Sequence, residues 1–384
     1  MFRLIIILIV IVICSNIYSQ SDSINAVNYD KKIEIKPKIP IGLYFNRIEG
    51  FTPFFKGGIT FKHINDLNIN PELNYSSNKN NFTYNLSVNF PILKNKLLIG
   101  GSYFNNIISN EQWTVSRLEN TIAGIFSNKD YMNYYSINGY SFSSQYFINK
   151  TISFDLKYLK LNYNDSGDST GFAKTLFKSD NIYRTNPSIF EERQNAIVCG
   201  LKINQLKVSP FFGKLGWHTN IIYRREFGDT KNNLLNISSS LYMLTWGLQK
   251  IYLSGNLILN DGSYKHQYLH GLGGIRVMKA FGPYTDIGQD LAYINIEYQF
   301  ANHSLNKKGK GMRIKPIIFS EFGKIWDTTE PSDQFNNVQH VKLLSDLGIG
   351  LILDQAIRLN LAKQINNKGN WQFSINLGIQ IDNE

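Results

Sequence analysis

The sequence predicts an all-β chain, a transmembrane antiparallel β-barrel of about 16 strands. Three observations predict it. Apolar and polar residues alternate with period two over stretches of about ten residues. No segment after the amino terminus is apolar enough for a transmembrane helix, and the mean hydropathy is −0.22. The chain also opens with an export signal.

That signal is MFRLIIILIVIVICSNIYSQ. Arg3 supplies the positive start, Leu4 to Ile13 the apolar core, and Ser19 a small residue before the cut. The core is shorter than the roughly 20 apolar residues that a membrane-spanning helix needs. Cys14 invites a lipoprotein reading, but the residue before it should be small, and Ile13 is not. The expected organisation is a signal peptide at 1–19, a polar periplasmic lead at 20–44 and a barrel domain at 45–384. Of the two cysteines only Cys199 survives cleavage, so the mature chain forms no internal disulfide.

The strands follow in order. In NFTYNLSVNF (81–90), Phe82, Tyr84, Leu86, Val88 and Phe90 face one way, and Asn81, Thr83, Asn85, Ser87 and Asn89 the other. In NWQFSINLGIQI (370–381), Trp371, Phe373, Ile375, Leu377, Ile379 and Ile381 share a face. Strands of this length, apolar outward and polar inward, let a sheet cross a bilayer, because lipid offers no partner to an unpaired backbone group. A soluble sandwich also alternates, but its strands are shorter. The same pattern recurs near 51–63, 68–77, 95–105, 134–148, 151–163, 196–209, 216–228, 233–247, 250–261, 265–274, 290–300, 312–326, 341–353 and 355–366. In 151–163 the frame slips after Tyr158, which predicts a bulge. Leu118, Ile122, Ile125 and Phe126 stand at helical spacing, predicting a short amphipathic helix within 111–127 that packs rather than acts as a lid. Residues 166–194 and 327–340 read as long extracellular loops.

The chemistry is sparse. No nucleophile elbow, phosphate loop or zinc motif is present, so no enzyme and no cofactor is expected. His266 and His270 would converge on a helix but lie in a strand or loop. NDSGDSTG (164–171) lacks the full calcium-loop pattern and its closing glutamate, and reads as a surface turn. Cys199 alternates within a strand and is read as inert. GLGG at 271–274 opens no helix inside a βαβ unit and is no dinucleotide site. The net charge of +11 suits lipid phosphates, lipopolysaccharide or anionic solutes. No zinc spacing and no basic helix point to nucleic acid.

What remains are charges on the polar faces of the last strands. Glu297 lies with Tyr293 and Asn295, Glu321 with Arg313 and Lys315, Asp346 with Lys342, and Arg358 with Asn360. If the apolar faces meet lipid, these charges line a lumen, where a desolvated carboxylate wants a cation. Wet charges that tune a pore would look the same. Arg313, Lys315 and Arg358 would then favour anions.

Several motifs in order resemble the bacterial surface-antigen barrels, the superfamily of BamA- and TamA-like outer-membrane assembly factors and two-partner secretion transporters. LGGIRVMKAFGPY is similar to that family's Leu-Gly-Gly stretch followed by Val-Arg-Gly-Phe/Tyr. INIEYQF and IIFSEFGKIWD are similar to its Glu-Tyr-Arg-Phe and Phe-x-Asp-x-Gly-x-x-Trp strands. LLSDLGIGLILDQAIRLNLAKQI is similar to its closing hairpin, and FNRIEGF (45–51) to its Asn-Arg-Val-Glu-Gly segment. Residues 64–260 match only in strand pattern. The resemblance implies an outer-membrane barrel whose sixth outer loop folds back into the lumen, its tip pairing with the acidic residue of the Phe-x-Asp-x-Gly strand. By spacing, the tip falls on Lys279, Ala280 and Phe281, and the acidic partner on Glu321. Lysine stands where the family has arginine, and Ala280 where it has glycine, so Arg276 is an alternative latch. Family members that receive client proteins carry periplasmic POTRA domains. Residues 20–44 are too few for one, so either docking comes from a separate periplasmic subunit or the protein does something else. The implied role is insertion or translocation of proteins or lipids; the alternative is a passive channel or structural barrel.

Overall fold

In the computed structural model the described residues form sixteen main strands of one antiparallel sheet. The structure describes residues 33–35, 39–64, 66–93, 96–127, 129–167, 183–209, 213–304, 312–327, 341–354, 356–365 and 369–377. In chain order the first five strands are β1 (Ile39–Asn46), β2 (Gly50–Lys56, resuming as Ile59–Phe61), β3 (Leu67–Ser76), β4 (Asn81–Ile92) and β5 (Leu97–Ile108). A helix, α1 (Arg117–Ser127), precedes β6 (Tyr135–Phe147), β7 (Ile152–Asp165) and β8 (Glu192–Asn204). Next come β9 (Gly213–Gly228), β10 (Asn232–Leu244) and β11 (Lys250–Gly262). The last five are β12 (Asp290–Gln299), β13 (Arg313–Trp326), β14 (Leu344–Leu353), β15 (Ile357–Gln364) and β16 (Gln372–Leu377). Each pairs with its sequence neighbour, as hairpin connections dictate.

The alternation is borne by the side chains. Leu43, Phe82, Phe142, Ile294, Ile349 and Phe373 are exposed on the outer face. Asn295, Glu297, Glu321, Asp346 and Asn360 are buried on the inner one. The lumen is itself divided. Toward the long loops it is filled: Ile258, Leu291, Tyr293, Ile325 and Leu344 of the wall pack on Leu272, Val277 and Met278 of the β11–β12 connection. Beside them Phe104, Tyr135, Leu161 and Tyr163 pack on Tyr268. Toward the short turns the wall is polar, carrying Lys250, Lys315, Glu297 and Arg358. Short turns at one rim and long loops at the other are the asymmetry of bacterial membrane barrels, with the long loops outside.

Four expectations need correction. The stretch 265–274 is no barrel strand: it forms a turn at His266–Tyr268 and a short ribbon in which His270–Leu272 pairs with Asp286–Gly288. The sixteenth strand is β1, which begins at Ile39, inside the segment read as a lead. There is no bulge after Tyr158, because β6 and β7 pair without interruption from Phe147–Ser153 to Tyr135–Asp165. The polarity changes instead: Leu159, Leu161 and Tyr163 turn inward against the filled half of the lumen, and Lys160 faces out. In α1 the apolar residues Leu118, Ile122, Ile125 and Phe126 are only half-buried, while Glu119, Asn120, Thr121 and Gly124 form the buried face.

The calcium-like stretch ends β7 in a turn where the Gly167 amide donates to Asp165 Oδ1 at 2.8 Å, and residues 168–171 lie outside the described residues. Cys199 is half-buried on the outer face of β8, level with Leu156 and Tyr223. Most of the loop expected at 327–340 also lies outside the described residues.

Candidate functional site

The site is built on the connection between β11 and β12, which turns back between the walls. Gly273 has φ of +105°, and a Cβ there would stand 2.2 Å from the Gly282 carbonyl oxygen, so only glycine permits this turn. The Arg276 amide donates to the Thr114 carbonyl at 3.1 Å, tying the loop to the segment before α1. Phe281 N–H donates to the Met278 carbonyl at 2.9 Å, which closes the tip.

At the tip, Lys279 Nζ lies 2.5 Å from Glu321 Oε1, and its backbone amide donates to Glu321 Oε2 at 2.9 Å. Tyr293 Oη donates to the same carboxylate at 2.5 Å. The Ala280 amide donates to Asp346 Oδ2 at 2.9 Å, and its carbonyl accepts from Gln364 at 3.0 Å. Glu321 and Asp346 are directly opposite on neighbouring strands; Glu321 takes the ammonium, and Asp346 holds the next backbone amide of the tip. The pair is dry: the Lys279 side chain is 4% exposed and that of Glu321 0%. Phe281 is partly buried against both flanking apolar clusters. Glycine at position 323 leaves room for the loop, since a Cβ there would meet Leu272 Cδ2 at 2.7 Å.

The other lumen charges form a second group. Arg358 Nη2 lies 2.6 Å from Glu297 Oε2, although their strands are not adjacent in the sheet. Phe319 sits between the two groups, with Lys279 Nζ 4.7 Å and Arg358 Cζ 5.5 Å from its ring centre. Lys315 reaches Gln299 at 3.4 Å. Arg313 stands apart, exposed at the start of β13, where its amide donates to Asp354 at 2.7 Å.

Arg276 is engaged elsewhere. Its Nε lies 2.7 Å from Glu119 Oε2 of α1, and its Nη2 donates to the Leu377 carbonyl at 3.2 Å. The sequence offered Lys279 and Arg276 as alternatives; the structure gives each its own carboxylate. Glu119 was not singled out from sequence, although it carries a local signal. Ser116-x-x-Glu119 is a capping box: the Glu119 amide donates to Ser116 Oγ at 3.2 Å, and the Ser116 amide to Glu119 Oε2 at 2.8 Å. That box explains why α1 starts at Arg117.

The FNRIEG turn carries a buried ion pair of its own. Here Arg47 is 1% exposed and pairs with Asp130 at 3.3 Å, while its Nη1 donates to the Met132 carbonyl at 2.6 Å. Asn46 and Tyr44 both donate to Glu49, whose burial raises its pKa. Burial likewise raises the pKa of Glu111 at the outer end of β5. His270 is buried in the loop with neither ring nitrogen hydrogen-bonded among the described residues, and burial pushes its pKa down to about 4.

Residues 16–194 match a family of unknown function, the DUF5686 C-terminal domain. No curated protein matches the chain by sequence. By structure the chain is similar to BamA from Haemophilus ducreyi lacking POTRA domains 1–3, with a TM-score of 0.60 at 15% identity, over 91% of this chain and 70% of that one. It is more distantly similar to CdiB from Acinetobacter baumannii, with a TM-score of 0.44 at 14% identity, over 88% of this chain and 58% of that one. At such identity the likeness to BamA is one of fold. The chain is an all-β, BamA-like antiparallel barrel sheet of sixteen strands.

Proposed function

We propose that the protein is an integral outer-membrane barrel that assists insertion or translocation of proteins or lipids at that membrane. The observation that carries this reading is the junction of the sheet: β1 and β16 share no ladder among the described residues. In lipid an unpaired strand edge is costly, so such an edge is a place where another chain or an acyl chain can enter. The outward apolar face, the export signal and the asymmetric rims support the outer membrane as the location. Outer-membrane lipid and lipopolysaccharide are then its surroundings, and client proteins or a separate periplasmic docking subunit its partners.

The test is quantitative proteomics of the outer membrane after depletion of the protein. A defined set of other barrels or lipoproteins should fall while their transcripts hold steady. An unchanged set contradicts the reading. The second reading, a passive anion channel, draws on Lys315 and Arg358 in the polar half of the lumen. The filled half weighs against it, and steady anion-selective conductance in planar bilayers would favour it.

A further inference from the structure

The edges of β1 and β16, which share no ladder among the described residues, do not face each other empty. The Phe45 amide of β1 donates to Thr121 Oγ1 of α1 at 3.0 Å, and that hydroxyl lies 3.2 Å from the Phe45 carbonyl oxygen. Across the junction the Leu377 amide of β16 donates to Glu119 Oε1 at 2.9 Å, and the Leu377 carbonyl accepts from Arg276 at 3.2 Å. Leu377 thus has both its backbone groups met by side chains, Glu119 accepting and Arg276 donating, and Phe45 has its amide met by Thr121, whose one hydroxyl proton lies between the Phe45 carbonyl and the Arg117 carbonyl at 2.8 Å.

The positions on the helix explain the arrangement. At 3.6 residues per turn, residues two apart point about 200° apart. Glu119 and Thr121 therefore reach in opposite directions, one to the last strand and one to the first. A helix with that pattern stands between the strands rather than on top of them. Gly124 lets it approach closely: a Cβ there would lie 2.9 Å from the Phe45 ring. The buried polar face of α1, opposite to what an ordinary amphipathic helix buries, follows from this placement. The side chains on that face serve backbone groups that would otherwise be orphaned.

We propose that α1 is a wedge that holds the seam of the barrel, with Glu119, Thr121 and Arg276 standing in for the missing strand pairing. The seam of this chain is released when α1 withdraws and not when a ladder unzips. A short helix tied by side-chain hydrogen bonds and one half-exposed ion pair has fewer bonds to lose than a full ladder. Arg276 also belongs to the plug loop, and the Ile275 carbonyl beside it accepts from Asn376 of β16 at 2.9 Å, so the loop and the seam are coupled through these neighbouring contacts. The inference concerns the resting state of the seam and does not depend on what passes through it.

The test is disulfide trapping in the full-length chain carrying Cys199→Ser, expressed in the outer membrane and exposed to a mild oxidant. One version carries Phe45→Cys with Thr121→Cys; the other carries Leu43→Cys with Ile375→Cys, which probes direct contact of the two strands. The first pair should cross-link readily and the second should not. Adding Glu119→Ala to the first pair should lower its cross-linking rate at least several-fold, while the folded barrel still runs as a compact band before heating. Cross-linking of Leu43→Cys with Ile375→Cys in the folded chain overturns the proposal. So does a Phe45→Cys/Thr121→Cys pair that stays reduced, or a rate indifferent to Glu119→Ala.

Discussion

Lys279 and Arg276 stand three residues apart on one loop, and each meets a glutamate, yet the two ion pairs do different work. Lys279 and Glu321 are sealed, at 4% and 0% exposure, and Glu321 also accepts from a tyrosine and a backbone amide. Arg276 and Glu119 are unequal, at 33% and 2%, and each holds a backbone group of the last strand as well as its partner. Breaking a buried pair strands a charge in a dry site. A pair with one member partly in water and the other held by further hydrogen bonds loses less when broken. The first pair is thus suited to anchoring the loop for good. The second is suited to a contact that can be given up.

The largest expected effect comes from Glu321→Lys. It would set two ammonium groups side by side without the acceptor for Tyr293, and should cost at least about 3–5 kcal/mol. The folded barrel should lose its resistance to heat in detergent; unchanged resistance would contradict the anchor. Next is Gly323→Ala, which pushes a methyl group against Leu272 and should cost about 1–3 kcal/mol by overpacking. Urea unfolding in detergent micelles would read it. Arg276→Ala should cost less than this, about 1–2 kcal/mol in global stability, because Glu119, although buried, keeps its hydrogen bonds from Ser116 and from the Leu377 amide. It should nonetheless loosen β16 locally, which protease nicking near Leu377 would reveal.

The smallest effect concerns pH. His270 is neutral in the folded loop because burial lowers its pKa from 6.5 to about 4. The unfolded chain binds that proton first, so stability is full above about pH 6.5 and falls as the pH drops toward 4. Glu111 and Glu49, raised by burial, act in the opposite sense. The difference between the wild-type chain and His270→Gln is therefore the quantity to measure, and the variant should lack this part of the acid loss. Parallel pH curves for the two chains would rule out the role of His270.

Much of the fold was legible in the sequence, because a strand between lipid and lumen writes its two environments into alternate residues. The face of Glu297, Glu321 and Asp346 was readable for that reason. The pattern misled where the environments themselves change. Leu159, Leu161 and Tyr163 look like a slipped frame, yet they point into the lumen where it is filled by Tyr268. The 265–274 stretch is buried without a break from 267 to 274, and its one ladder among the described residues is with Asp286–Gly288. In α1 the apolar spacing drew attention to the half-exposed side, and the functional side is polar. Its meaning depends on where β1 and β16 end, which no local pattern records. Thr121 and Glu119 could be read as seam residues only once both strand edges were in place.

The most direct test of the division of labour is hydrogen exchange at two amides, those of Leu377 and Ala280, in Arg276→Ala and in a conservative anchor variant, Lys279→Met. Arg276→Ala should speed exchange at Leu377 and leave Ala280 protected, while Lys279→Met should do the reverse. If either substitution loosens both amides alike, the loop has one attachment rather than two, and the account of a fixed anchor beside a releasable seam is wrong.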